Sequence, residues 1–333
     1  MMSKLRLLFD RFTLILIAVV VTATVLPAHG QGAVFFEWLT AAAIALLFFL
    51  HGAKLSREAI IAGATHWRLH GVIFLWTFVI FPILGWVLRP VLLPLLGEPL
   101  YIGIVYLTVL PGTVQSAIAF TSVARGNVPA AVCAASASSI VGIVITPLLL
   151  QWLLGADTSA LGGSSILQAI GRISVQIFLP FVVGHLMRPL IGRWMDAHRA
   201  LIKGVDQSSI LLVVYTAFSS SVIGGLWQAV DTVSLVWLVV ACCALLALVL
   251  VLNTWSARRL GFNRADEITI VFCGSKKSMA TGVPMAGVLF SAAAIGPVLL
   301  PLMIFHQIQL MVCAVLAQQY ARATDVAGQR VVV

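Results

Sequence analysis

What most constrains this chain is the spacing of its apolar residues. Ten apolar runs, at 12–26, 34–50, 69–88, 102–124, 128–154, 166–187, 209–226, 232–252, 268–292 and 295–320, are separated by short polar connectors. A bilayer interior takes about 20 residues of helix and offers nothing to a bare backbone, so runs of this length demand helices. Of the 333 residues, 61% are hydrophobic and 9% charged, whereas about a quarter are charged in a soluble domain. The sequence therefore predicts an all-α polytopic membrane protein with ten transmembrane helices. A formal charge of +9 does not imply nucleic acid, because the basic residues are divided among the connectors instead of gathered on one folded face. Cys133, Cys242, Cys243, Cys273 and Cys313 fall in apolar runs without metal-like spacing and read as small buried hydrophobes; no metal site is expected.

Charge in the connectors sets orientation. Lys4, Arg6 and Arg11, then Lys54, Arg57 and Arg68, Arg125, Arg188 to Lys203, Arg258 to Arg264, and Arg322 and Arg330 alternate with connectors carrying Glu37, Glu98, Asp157 and Asp231. The basic side is read as cytoplasmic, with both termini there, the first apolar run kept as a helix and not cleaved as a signal. The connector 155–165 divides the runs into two sets of five, residues 1–154 and 166–325. Five is odd, so the sets are expected to run antiparallel as inverted repeats, with the fourth and ninth runs, both interrupted, in matching places.

Those interruptions hold the unusual residues. In the fourth run Pro111 lacks an N–H and Gly112 tolerates irregular dihedrals, so one helix should stop there and another begin near Thr113, the expected N-cap. A half-helix N-terminus favours negative charge, with Gln115 and Ser116 in its first turn. In the ninth run, VFCGSKKSMATGVP, Gly274 breaks the helix and Ser275 is expected to cap the second half. That places Lys276, Lys277 and Ser278 at its start, where two cations need an anion or carboxylate; Asp266 and Glu267 are partners only if the chain folds back. One lysine is expected to face a cavity and the other to pack or snorkel, although both lying shallow as anchors is also open. His306 and Gln307 in the tenth run offer a titratable ring and an amide, read equally as site or as neutral packing. Ser136, Ser138 and Ser139 suggest close helix packing, and Asp206, Gln207 and Ser208 read as caps at the start of the seventh run. With no nucleotide-binding or zinc motif and no paired intramembrane carboxylates, the residues favour a transporter over a channel or an enzyme.

LPGTVQSAIAFTSVARGNVPAAV (110–132), ITPLLL (145–150) and FCGSKKSMATGVPMA (272–286) resemble the bile acid:sodium symporter superfamily, in particular its bacterial sodium bile acid symporter-like branch, related to the vertebrate solute carrier 10 member 7 group. The resemblance implies a panel domain from helices 1, 2, 6 and 7, and a core domain from helices 3–5 and 8–10 in which the interrupted helices cross. It also implies a bacterial inner-membrane location and alternating-access transport of a small organic anion, with the lipid bilayer as surroundings. The family's sodium ligands fall here on Ser116 and Ala117, Ala131, Ala135, Phe272, Lys276 and Thr77, most of which cannot coordinate with a side chain. Sodium as a coupling ion is therefore doubtful, and Lys276 becomes the charge that an anion would meet, with Lys276 or His306 as a route for protons. The alternatives are an ordinary sodium:organic anion symporter and a non-transporting regulatory or lipid-binding membrane protein.

Overall fold

The computed structural model describes residues 11–54, 66–154, 168, 171–172 and 174–331. Lys4, Arg6, Arg57, Asp157 and the dividing connector 155–165 lie outside the described residues. The chain forms α1 (Arg11–Val25), α2 (Gln31–Lys54), α3 (Trp67–Val87), α4 (Arg89–Leu96), α5 (Glu98–Val109), α6 (Gln115–Val123) and α7 (Val128–Leu154). After these come α8 (Ser174–Ala197), α9 (Arg199–Ile223), α10 (Leu226–Ala229), α11 (Thr232–Arg259), α12 (Arg264–Gly274), α13 (Met279–Leu289) and α14 (Ala292–Val331).

Among the described residues seven helices are long and apolar enough to cross a bilayer: α2, α3, α7, α8, α9, α11 and the stretch Ala294–Ala323 of α14. This overturns the expectation of ten transmembrane helices in two inverted repeats of five. The first run yields only the 15-residue α1, whose apolar part is Leu14–Val25. The fourth and ninth runs are each cut in two, into helices of 12 and 9 residues and of 11 and 11 residues. At 1.5 Å per residue such pieces reach no further than about 18 Å, well short of a hydrocarbon core of about 30 Å. The placing of both termini on one side rested on an even count and loses that footing.

The outer surface is apolar, as a chain solvated by lipid requires: Trp38 is 75% exposed and Leu190 81%. Four of the five cysteines are buried as expected, while Cys243 is exposed. Helix α2 lies antiparallel against α8 with their backbones in contact. A Cβ on Gly52 would run into the Phe181 carbonyl, and one on Gly184 into the Phe49 carbonyl, so only glycine permits this approach. Inside, α5 packs against α3, α7 and α14. Its Tyr106, wholly buried, donates from its hydroxyl to the Gly282 carbonyl of α13 at 2.6 Å. That bond brings the two interrupted helices together.

Candidate functional site

The first interruption follows from Pro111. The residue before a proline is pushed out of the helical region, and Leu110 is extended at φ −67°, ψ 152°. Helix α5 thus ends at Val109 with carbonyls that have no helical partner, and each must be met elsewhere. Thr146 Oγ1 of α7 donates to the Val109 carbonyl at 2.9 Å, and the Gly112 N–H donates to Ser138 Oγ at 3.0 Å. Ser138 therefore serves the break as well as the packing. Thr113 is not the N-cap of α6. Val114 holds that position, with no polar side-chain atom to cap it, and the Thr113 hydroxyl accepts from Ser116 Oγ at 2.8 Å.

At the second interruption Ser275 closes α12 and does not cap α13, since its N–H and Oγ both donate to the Val271 carbonyl, at 3.3 and 2.6 Å. The cap is Ser278, whose Oγ accepts from the Thr281 N–H at 3.2 Å. Lys276 and Lys277 therefore lie in the interruption itself, outside the first turn of α13. Gln309 of α14 holds the Lys277 backbone through both amide atoms, Lys277 N to Oε1 and Nε2 to the Lys277 carbonyl, each 2.9 Å. His306 Nδ1 lies 2.9 Å from the same Gln309 Nε2, and Gln307 is half-buried on the same helix. The Ser278 N–H donates to the Pro111 carbonyl at 2.9 Å, and a Cβ on Gly112 would lie 3.1 Å from the Cys273 carbonyl. The two interruptions face each other across these contacts.

Both lysines are 0% exposed, but their surroundings differ. Lys277 Nζ donates to the carbonyls of Thr77, Thr108 and Leu110 at 2.7, 2.8 and 2.8 Å and lies 4.3 Å from the centre of the Phe81 ring. Two of these oxygens are at the C-terminal end of α5, the negative end of its dipole. Among the described residues Lys276 Nζ has no hydrogen-bond partner; the Phe120 and Phe272 rings are centred 4.3 and 5.3 Å away. Neither Asp266 nor Glu267 turns back to the lysines. Asp266 accepts from Asn127 and Asn263, and Glu267 from Arg258, Arg264 and the Tyr320 hydroxyl.

Asp206 is the residue the sequence undervalued. It is not a cap: α9 begins at Arg199, and Asp206 is 4% exposed, two turns inside it. Its Oδ2 pairs with Lys54 at the end of α2 and accepts from Gln115 Nε2 at 2.9 Å, while Oδ1 is buried without a hydrogen-bond partner among the described residues. The signal was there in spacing. Ile202, Asp206, Ser209 and Val213 recur at helical intervals, and all are buried.

A helical, multi-pass membrane protein whose core is the meeting of two interrupted helices is the class this arrangement defines. The chain belongs to the SBF-like CPA transporter family, whose model matches residues 10–322. It is 61% identical to an uncharacterized protein of Pseudomonas aeruginosa, over 97% of this chain and 96% of that one. It is 59% identical to YfeH of Escherichia coli, provisionally named a symporter, with 97% and 96% covered. More distantly, it is 29% identical to sodium/bile acid cotransporter 7-B of Xenopus laevis, over 93% of this chain and 91% of that one. These relationships support membrane transport as its general role and a bacterial inner-membrane setting.

Proposed function

We propose that this chain is a secondary transporter of a small organic anion, working by alternating access, with Lys276 as the charge the anion meets and no coupling to sodium. The observation that carries the reading is the Lys276 ammonium, wholly buried where the two interruptions meet, with no hydrogen-bond partner among the described residues. Burying an ammonium without a hydrogen-bonding counterpart is costly, and a carboxylate or sulfonate reaching it would supply the missing acceptor. Lys277 is a poor candidate for the same task, because all three of its donors already serve carbonyls. Phe120 and Phe272 give the site an apolar wall suited to an amphipathic anion, in keeping with the bile acid in the names of the distant relatives. Against sodium stand Ala117, Ala131, Ala135 and Phe272, which offer no side-chain oxygen. Gln115, Ser116, Thr113 and Ser278 supply polar groups along the two interruptions, and His306 a proton-accepting ring near them.

The test is uptake into proteoliposomes of a panel of amphipathic carboxylates and sulfonates, beginning with taurocholate, under imposed sodium or proton gradients. Saturable uptake above that of protein-free vesicles is expected, unchanged when choline replaces sodium. Lys276→Gln should reduce it about tenfold or more, the effect of losing roughly 1.4 kcal/mol of charge attraction. Equal uptake by the variant would remove Lys276 from the reading. Loss of uptake in choline would restore sodium symport.

A further inference from the structure

The geometry points to a main-chain site for a monovalent cation of ammonium or potassium size, formed by the carbonyls of Thr77, Thr108 and Leu110, which the chain fills with its own Lys277. The inference concerns this site alone and holds whatever solute the protein handles.

Each oxygen is left without a helical partner by features that owe nothing to the lysine. In α3 the five residues Trp76–Ile80 form a π-turn, so the Phe81 N–H goes to the Trp76 carbonyl, and the next residue, Pro82, has no N–H to give. The Thr77 carbonyl is thereby stranded. The Thr108 carbonyl would take the Gly112 N–H in a continuous helix, but that N–H is spent on Ser138. Leu110 is extended ahead of Pro111, and its carbonyl points out of helical register. Two prolines and a π-turn therefore assemble three acceptors at one point, two from the end of α5 and one from α3.

The group that fills this point is a cation by its hydrogen-bond count. Three carbonyls at 2.7–2.8 Å each need a donor, and a neutral amine has only two N–H bonds. No carboxylate pairs with Lys277 among the described residues; the positive charge is met by carbonyl dipoles and by the Phe81 face. Carbonyl cages of this kind are what hold bare monovalent cations at membrane depth, and the contacts are longer than those of a divalent ion. Here the ion is attached to the backbone and cannot leave.

The site should outlast removal of its plug. The full-length protein in detergent is unfolded by heat, followed by tryptophan fluorescence, in chlorides of choline, sodium, potassium, ammonium and n-propylammonium at equal ionic strength. Lys277→Ala should unfold below wild type in choline. Potassium, ammonium or n-propylammonium should then raise its midpoint saturably by about 3 °C, as a ligand that binds only the folded state does. Wild type, Lys276→Ala and Lys277→Met, the last filling the space without charge, should show the same midpoint in all five salts. An unresponsive Lys277→Ala, one recovered folded in none of the salts, or a response shared by wild type would overturn the site. A response confined to sodium would overturn the assigned size.

Discussion

Lys277 enters the crossing on the side of α3 and α5 and is surrounded by carbonyl oxygens, whereas Lys276 leaves it toward α6 and α12 and is surrounded by aromatic rings. The two are adjacent, equally buried and chemically identical. What separates them is what the neighbours present: carbonyls left unmet by a π-turn and by the end of α5 on one side, the phenylalanine rings of α6 and α12 on the other. The cost of a buried charge is thus set by the acceptors around it, not by depth. Lys277 stabilises a junction that would otherwise hold three unmet carbonyls. Lys276 stabilises nothing comparable, which leaves its charge for use.

That contrast is open to direct attack through unfolding of variants in detergent. Lys277→Met should cost most, about 3 kcal/mol, from three carbonyls each losing a partner worth about 1 kcal/mol. A loss near zero would mean that the carbonyls find other donors and that the two lysines are alike. Asp206→Ala offers an intermediate case, in which a carboxylate supplies the counter-charge. About 2 kcal/mol should be lost, softened because the Lys54 side chain is 33% exposed and water takes up part of its charge. Lys276→Met should change stability least, with no loss and a gain of up to about 1 kcal/mol as an unmatched charge is replaced by an apolar chain of similar length. If it lost as much as Lys277→Met, the comparison would fail.

The sequence made some of this legible. Pro111 marked the first interruption because its effect on the backbone before it is local, and the lysine pair was conspicuous in an apolar run. The division of labour between the lysines was not legible, since the partners of Lys277 lie on Thr77 and Thr108, 200 and 169 positions away, and are backbone atoms that every residue possesses. The caps were misjudged for a nearby reason. Thr113 and Ser275 have the chemistry of caps, but so does Ser278, and only the path of the chain through the break selects among them. The span count failed because hydropathy sums over an interruption without registering that the helix has ended. Asp206 was passed over because its polar neighbours suggested a helix start, when the turn comes earlier, at His198.

The reciprocal glycines of α2 and α8 carry a mechanical consequence. Gly52 receives the Phe181 carbonyl and Gly184 the Phe49 carbonyl, three residues apart on each helix, so each backbone is keyed into a notch of the other. A shift of either helix along its axis would drive a carbonyl out of its notch into the side chains beside it, and parting them would strip both notches at once. The two helices are joined like the halves of a mortise, and any rearrangement of the protein carries them as a single beam.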